Sequence, residues 1–189
     1  MAMNTRKEEL KKNVNAYHND TVAFRRHIHK NPELSTKEHK TAGYVESQLD
    51  NFGIRHERMA GTGVIGVIEG QQKGKTIALR ADMDALPLKE ENSHEYISHN
   101  EGIMHACGHD AHTAILLGAA RVLNERKEQI HGKILLIFQP SEENFPGGAR
   151  MLLEEGLFEK YQPDKIIGLH VDPDIDSGKV GMKAGQYMA

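Results

Sequence analysis

A chain of 189 residues is long enough for one α/β domain with a real core, and its single cysteine excludes an intrachain disulfide. The net charge of -3, the pI near 6.5, the lack of a basic stripe, the absence of Trp and the 5% aromatic content all argue against a nucleic-acid partner. The lone cysteine fits a reducing compartment, residues 1–13 are polar, and no run approaches a membrane span, so a cytoplasmic protein without a membrane partner is expected.

Between residues 5 and 30 the apolar positions Leu10, Val14, Tyr17, Phe24 and Ile28 recur at helical intervals, predicting one helical element that Pro32 stops. Ser35-Thr36-Lys37-Glu38 reads as a capping box opening a second helix. Ala42, Val45 and Leu49 line its apolar face, and Gly53 stands at the C′ position. The texture then changes. Gly61-Thr62-Gly63 is a turn, Val64 to Ile68 a β-branched run and 75–81 a second candidate strand, with a hairpin expected between them through 71–74. Residues 89–101 are polar and irregular, a loop.

A core helix is predicted over 110–126, with Asp110 as its N-cap. Residues 133–138 are continuously apolar, as in a strand buried on both faces. Gly147-Gly148 opens a short helix that closes at Gly156, and 165–169 reads as a further buried strand with His170 at its end. The alternation of strand and helix argues for an α/β layered domain with a partly parallel sheet behind covering helices. Val180 to Lys183 looks like another strand in progress, and the ending soon after it suggests a fragment of a longer enzyme.

The chemistry gathers first in Met104 to His112, which packs His105, Cys107, His109, Asp110 and His112 into nine positions. Cys107 and His109, two apart in an extended turn, can point at one ion; a lone cysteine is otherwise usually a small buried hydrophobe. Strand ends carry Asp82 and Asp84, Glu142 and Glu143, and His170. Ligands bind at the carboxyl ends of strands in open α/β sheets, and carboxylates converging there repel unless cations or protons compensate them. Successive side chains of an extended Glu142-Glu143 pair point to opposite sides, so one can hold a metal while the other faces a water as general base. The bland alternative is a solvated acidic loop. Asp82 and Asp84 read equally well as turn residues. His105 and His112 are weaker candidates for supporting roles, and His27 and His29 sit where a helix ends and its negative pole favours them.

With these residues assembled, the chain resembles the amidohydrolases that cleave N-acyl amino acids. That group includes hippurate hydrolase, the auxin–amino-acid conjugate hydrolases and bacterial N-acetyl-amino-acid deacetylases, a branch of the dinuclear metallopeptidases that also contain aminoacylase. The matching segments are 26–34, 79–87, 104–112, 138–143 with Gly147-Gly148-Ala149, and 168–171.

The resemblance implies a zinc-peptidase-like catalytic domain holding two divalent ions, zinc or manganese, and a small N-acyl amino acid as substrate. Cys107, His109, Glu143 and His170 match ligand positions, and Glu142 matches the general base that activates the water attacking the amide carbonyl. Asp82 and Asp84 take supporting roles, with His105, Asp110 and His112 behind them; in the wider superfamily a histidine ligand stands where Asp82 occurs. The resemblance also implies that residues 1–189 are the N-terminal part of the catalytic domain. A lid domain that often mediates dimerisation, and a returning catalytic segment with one more histidine ligand, would then lie outside it. Two other readings stay open: Cys107 as a nucleophile activated by a histidine, and a non-catalytic metal-binding fragment.

Overall fold

The most apolar strand of the chain takes the middle of the sheet. In the computed structural model, which describes residues 2–182 and 184–185, the elements run α1 (Ala2–Ala16), α2 (His18–Lys30), α3 (His39–Phe52), β1 (Arg55–Met59), β2 (Gly63–Glu69), β3 (Gln72–Asp82), α4 (His109–Glu125), β4 (His131–Gln139), α5 (Gly148–Glu154), α6 (Leu157–Tyr161) and β5 (Lys165–Gly168). The five strands form one mixed sheet in the order β1-β2-β4-β3-β5. β4 runs antiparallel to β2, pairing Ile65 with Ile137, and parallel to β3, pairing Leu79 with Leu136; β3 and β5 are parallel. The expected α/β layering with a partly parallel sheet is therefore present.

Alternation along β4 explains why its whole run is apolar. Leu136 and Phe138 face Ala42, Val45 and Leu49 of α3 and Ala114, Leu117 and Ala120 of α4, while Leu135 and Ile137 face Leu152 and Leu157 on the other side. Each of the buried leucine, isoleucine, valine and phenylalanine side chains among these stabilises the fold by about 1.5–3 kcal/mol. β4 thus joins two cores, and the loops at its carboxyl end are held from both.

Several local expectations give way to tertiary contacts. The helix expected over 5–30 is two helices meeting at Tyr17, whose ring lies under the guanidinium of Arg121 at 3.8 Å and whose hydroxyl bonds Glu125. The predicted hairpin between β2 and β3 does not form, because β4 inserts between them. The glycines there serve close backbone passage instead: a Cβ on Gly132, at φ +95°, would lie 2.0 Å from the Lys75 carbonyl oxygen. Asp110 is not the N-cap of α4. Gly108 at φ +84° is, and Asp110 lies inside the first turn. Nor does 35–38 form a capping box, since the Glu38 carboxylate leaves its own helix for the interior.

β5 departs from the buried strand that its apolar residues predict: it is an exposed edge strand, with Ile166 and Ile167 each 52% accessible and β3 its one partner among the described residues. Val180 to Met182 form no strand, and Lys183 lies outside the described residues. Gly53 ends α3 at φ +69° as expected, and 89–101 carry no helix or strand. No helix of the described residues is long and apolar enough to cross a membrane.

Candidate metal centre

Because β3, β4 and β5 are parallel, their carboxyl ends open on one rim of the sheet, the rim where α4 begins. β3 delivers Asp82 and Asp84, β4 delivers Glu142 and Glu143, α4 opens with His109, and the segment after β5 brings His170. Four separate stretches of chain supply the side chains.

His109 is the fixed point. Its Nδ1 lies 2.9 Å from the carbonyl oxygen of Asp84 and 3.2 Å from Asp84 Oδ1, two acceptors that assign the ring proton to Nδ1. Its Nε2 therefore carries the lone pair, and that atom is buried without a hydrogen-bond partner among the described residues. Three carboxylate oxygens surround it: Asp82 Oδ2 at 3.7 Å, Glu143 Oε1 at 3.8 Å and Glu142 Oε2 at 3.9 Å. Burial alone would lower the His109 pKa, but the Asp84 hydrogen bond and the charges of Asp82, Asp84 and Glu143 raise it above its ordinary value.

Asp84 works as a clamp. Its Oδ2 accepts the Ser35 hydroxyl at 2.6 Å and the Glu143 amide at 2.9 Å, so one carboxylate fixes both the imidazole and the glutamate turn. Burial pushes its pKa up, yet hydrogen bonds from His109, Ser35 and the amides of Glu143 and Glu142 prevail and hold it well below the usual carboxylate range. Asp82 is anchored differently, with Arg80 Nη1 at 2.7 Å from Oδ2 and His112 Nδ1 at 2.6 Å from Oδ1. His112 Nε2 in turn accepts the Val171 amide at 2.9 Å, which leaves neither of its nitrogens free and ties the His170 segment to Asp82.

Cys107 meets His170 at the outer edge, with Sγ 3.4 Å from Nε2. The His170 Nδ1–H donates to the Val171 carbonyl at 2.7 Å, which turns the Nε2 lone pair toward the sulfur. This approach requires Gly108: a Cβ there would lie 2.3 Å from Val171 Cγ2. Burial, then a hydrogen bond to Glu143 and the nearby charges of Glu143, Glu142 and Asp82, pushes the Cys107 thiol up to about 12.

The rim thus brings together Cys107, His109, Glu142, Glu143, His170 and Asp82, with Asp84 and His112 bonded directly to members of the group. His105 and Asp110 lie apart from it. Asp110 turns to His29 Nδ1 at 2.9 Å and Arg25 Nε at 3.0 Å, while His105 is buried with neither ring nitrogen partnered among the described residues and is pushed down to about 4 by burial. Residue-by-residue reading of the sequence misses Arg80, Ser35 and Glu38. Alternation along β3 puts Arg80 on the face of Asp82 and is a signal that finds it; Ser35 and Glu38 read as a capping motif that does not form.

The donor set fits divalent cations. Ligand atoms each roughly 2.0–2.3 Å from one tetrahedral ion stand roughly 3.3–3.8 Å apart, close to the separations at the rim. The groups Cys107/His109/His170 and His109/Glu142/Glu143 each keep their donor atoms within 4.8 Å of one another. A lone pair buried against carboxylates, beside a thiol that resists ionisation without a cation, is the chemistry a soft-to-borderline metal resolves.

An α/β layer with nitrogen, sulfur and oxygen donors at the carboxyl rim of its parallel strands has the make-up of a metallohydrolase catalytic domain. The profile of peptidase family M20/M25/M40 matches residues 78–187, from the middle of β3 past every rim residue, and the chain belongs to that family. It is 45% identical over 184 residues to an N-acyl-L-amino acid amidohydrolase of Geobacillus stearothermophilus, covering 97% of this chain and 49% of the relative. It is 46% identical over 178 residues to an N-acetyl-L-cysteine deacetylase of Bacillus subtilis, covering 94% and 42%. The crystal structure of the Bacillus subtilis YXEP protein, described as a dinuclear metal binding peptidase of the M20 family, superposes with a TM-score of 0.85 at 40% identity, covering 89% of this chain and 47% of the other. The chain therefore spans about half the length of the curated relatives it matches, and the family resemblance read from its five segments holds.

Proposed function

We propose that this chain supplies the metal-binding half of a hydrolase that cleaves the amide bond of small N-acyl amino acids. The observation that carries the reading is the buried Nε2 of His109, without a hydrogen-bond partner among the described residues, oriented by Asp84 and faced by Glu142, Glu143 and Asp82. Cys107, His109, Glu143 and His170 are the proposed ligands of two divalent ions, zinc or manganese. Such ions supply a Lewis acid for the amide carbonyl and lower the pKa of water at the site.

Glu142 is the proposed general base. Its side chain is 42% accessible, against 23% for Glu143, so it can take a proton from a water on the open side and return it to the leaving amine. Asp84 keeps the His109 proton on Nδ1, and His112 keeps the segment carrying His170 against Asp82. A nucleophile reading of Cys107 could use the His170 contact at 3.4 Å, but burial and the carboxylates beside the thiol push it up to about 12 and disfavour the thiolate that attack requires.

The names of the two relatives above support the substrate class. Their greater length supports assigning full activity to a longer protein in which residues 1–189 are the N-terminal part of the catalytic domain. The lid, the returning catalytic segment and a homodimer formed through the lid belong to that longer protein, which we place in the cytoplasm. Hydrolysis of N-acetyl-methionine and hippurate by the longer form, before and after chelation, tests the reading. Loss on chelation and recovery with zinc or manganese is expected; turnover that survives chelation contradicts it.

A further inference from the structure

A buried carboxylate outside the rim ties the segment before α3 to the turn that carries both glutamates. Glu38 is fully buried. Its Oε1 accepts the Ser141 amide at 2.8 Å and the Thr36 amide at 3.0 Å, and its Oε2 accepts the Thr62 hydroxyl at 2.6 Å. Both amide donors belong to non-glycine residues in the left-handed region, Ser141 at φ +48° and Thr36 at φ +66°. Such conformations are costly for a residue with a Cβ and persist only where the surroundings over-determine them. One oxygen accounts for two of them.

Ser141 directly precedes Glu142. Its carbonyl accepts the Gly148 amide at 2.7 Å, and two residues on, the Glu143 amide is held by Asp84 at 2.9 Å. The turn is therefore gripped at one end by Glu38 and at the other by Asp84. Without the acceptor at Oε1, the Ser141 amide would be a buried orphan, and its left-handed backbone would keep only the Gly148 amide on its carbonyl. Relaxation to negative φ at that residue redirects the chain just where it launches Glu142 and Glu143 toward His109.

We infer that Glu38 is a positioning residue for the two glutamates: by fixing the Ser141 backbone it sets where both carboxylates stand at the rim. What those carboxylates do rests on the function proposed above; the hold on Ser141 does not. A residue that served stability alone would change the melting temperature and leave the turn and its metal affinity per folded molecule unaltered.

The test uses the 189-residue chain as Glu38→Gln, Glu38→Met and Thr62→Val. Amide exchange at Ser141 is followed by NMR, and zinc is titrated against a chromogenic chelator. Glu38→Met removes every acceptor at similar volume, so Ser141 exchange should rise by about tenfold or more while α3 stays protected, and zinc affinity should fall by about 10–100-fold. Glu38→Gln keeps an oxygen for Ser141 and offers its amide N–H to the Thr62 hydroxyl, so it should restore both readouts. Unchanged Ser141 exchange in Glu38→Met, equal loss of protection throughout α3, or wild-type zinc affinity in that variant would overturn the inference. Should Glu38→Met not fold, Thr62→Val decides: it strips one anchor from Glu38, and Ser141 exchange must rise, an unchanged rate counting against the proposal. Should the wild-type chain take up no zinc, the proposed function fails, and the exchange arm alone still judges Glu38.

Discussion

The Nδ1 atom of His109 lies 2.9 Å from the carbonyl oxygen and 3.2 Å from the carboxylate of Asp84, so a single residue decides which nitrogen of the ring faces the rim. Replacing Asp84 by alanine should weaken zinc binding by about 10–100-fold, as loss of a carboxylate behind a ligating histidine does. Asp84→Asn, which keeps an oxygen acceptor, should lose less. Zinc titration of the two variants checks the order; equal affinities would show that the carbonyl alone orients the ring.

The two adjacent glutamates should separate cleanly. Glu142→Gln is expected to keep metal content near wild type while removing most activity in the longer enzyme, by about 10²–10⁴-fold for loss of a general base. Glu143→Gln and Cys107→Ala should lose metal. Elemental analysis beside the hydrolysis assay distinguishes them, and a Glu142→Gln protein stripped of its ions would reverse the assigned roles.

A second cluster, away from the rim, should shape stability against pH. His29 Nδ1 bonds Asp110 and its Nε2 bonds Glu90 at 3.1 Å, with His94 3.4 Å from the same Glu90 oxygen and Arg25 on Asp110. The Asp110 hydrogen bond, opposed by burial and aided by Glu90, raises the His29 pKa; Glu90 would be raised by burial but is brought down to about 2 by the Ser98 amide, Asn92 and His29. The raised histidine stabilises fully below its ordinary value of 6.5 and less as pH climbs through its folded value. The depressed glutamate stabilises above its ordinary 4.5 and less as pH falls toward about 2. The difference in Tm between wild type and His29→Gln should therefore be largest between these two ordinary values and shrink on both sides. A difference independent of pH would refute the ion-paired cluster.

Gly148 sits where the glutamate turn meets α5, and a Cβ there would lie 1.7 Å from the Pro140 carbonyl oxygen. Gly148→Ala should destabilise by about 1–3 kcal/mol through overpacking, at about 2–4 °C of Tm per kcal/mol for a chain of this size. Thermal melts read this directly. An unshifted Tm would mean the turn has room to move.

Much of the fold is legible because its signals are local. The β-branched run after Gly63, the unbroken apolar stretch of β4 and the small apolar residues of α4 announce their elements and their burial. Neighbour relations are not local. Nothing near 71–74 says that β4 will separate β2 from β3, since the preference of β4 for the centre depends on two cores that assemble around it. β5 reads as buried because Ile166, Ile167 and Leu169 are apolar, but burial also requires a partner, and strand composition does not specify one. The rim was half visible: Cys107, His109, Glu142 and Glu143 stand out by type and spacing, and parallel strands do bring their ends together. Ser35 and Glu38 are hidden, because a serine and a glutamate three apart before a helix fit a local capping motif as well as they fit three long-range hydrogen bonds.

If a divalent ion is what the His109 lone pair faces, anomalous scattering from zinc-soaked crystals of this chain will locate it. Peaks roughly 2.0–2.3 Å from His109 Nε2 and from Cys107, Glu143 and His170 are predicted. Crystals that take up zinc elsewhere, or none, with His109 Nε2 left without a bond to metal, would contradict that placement.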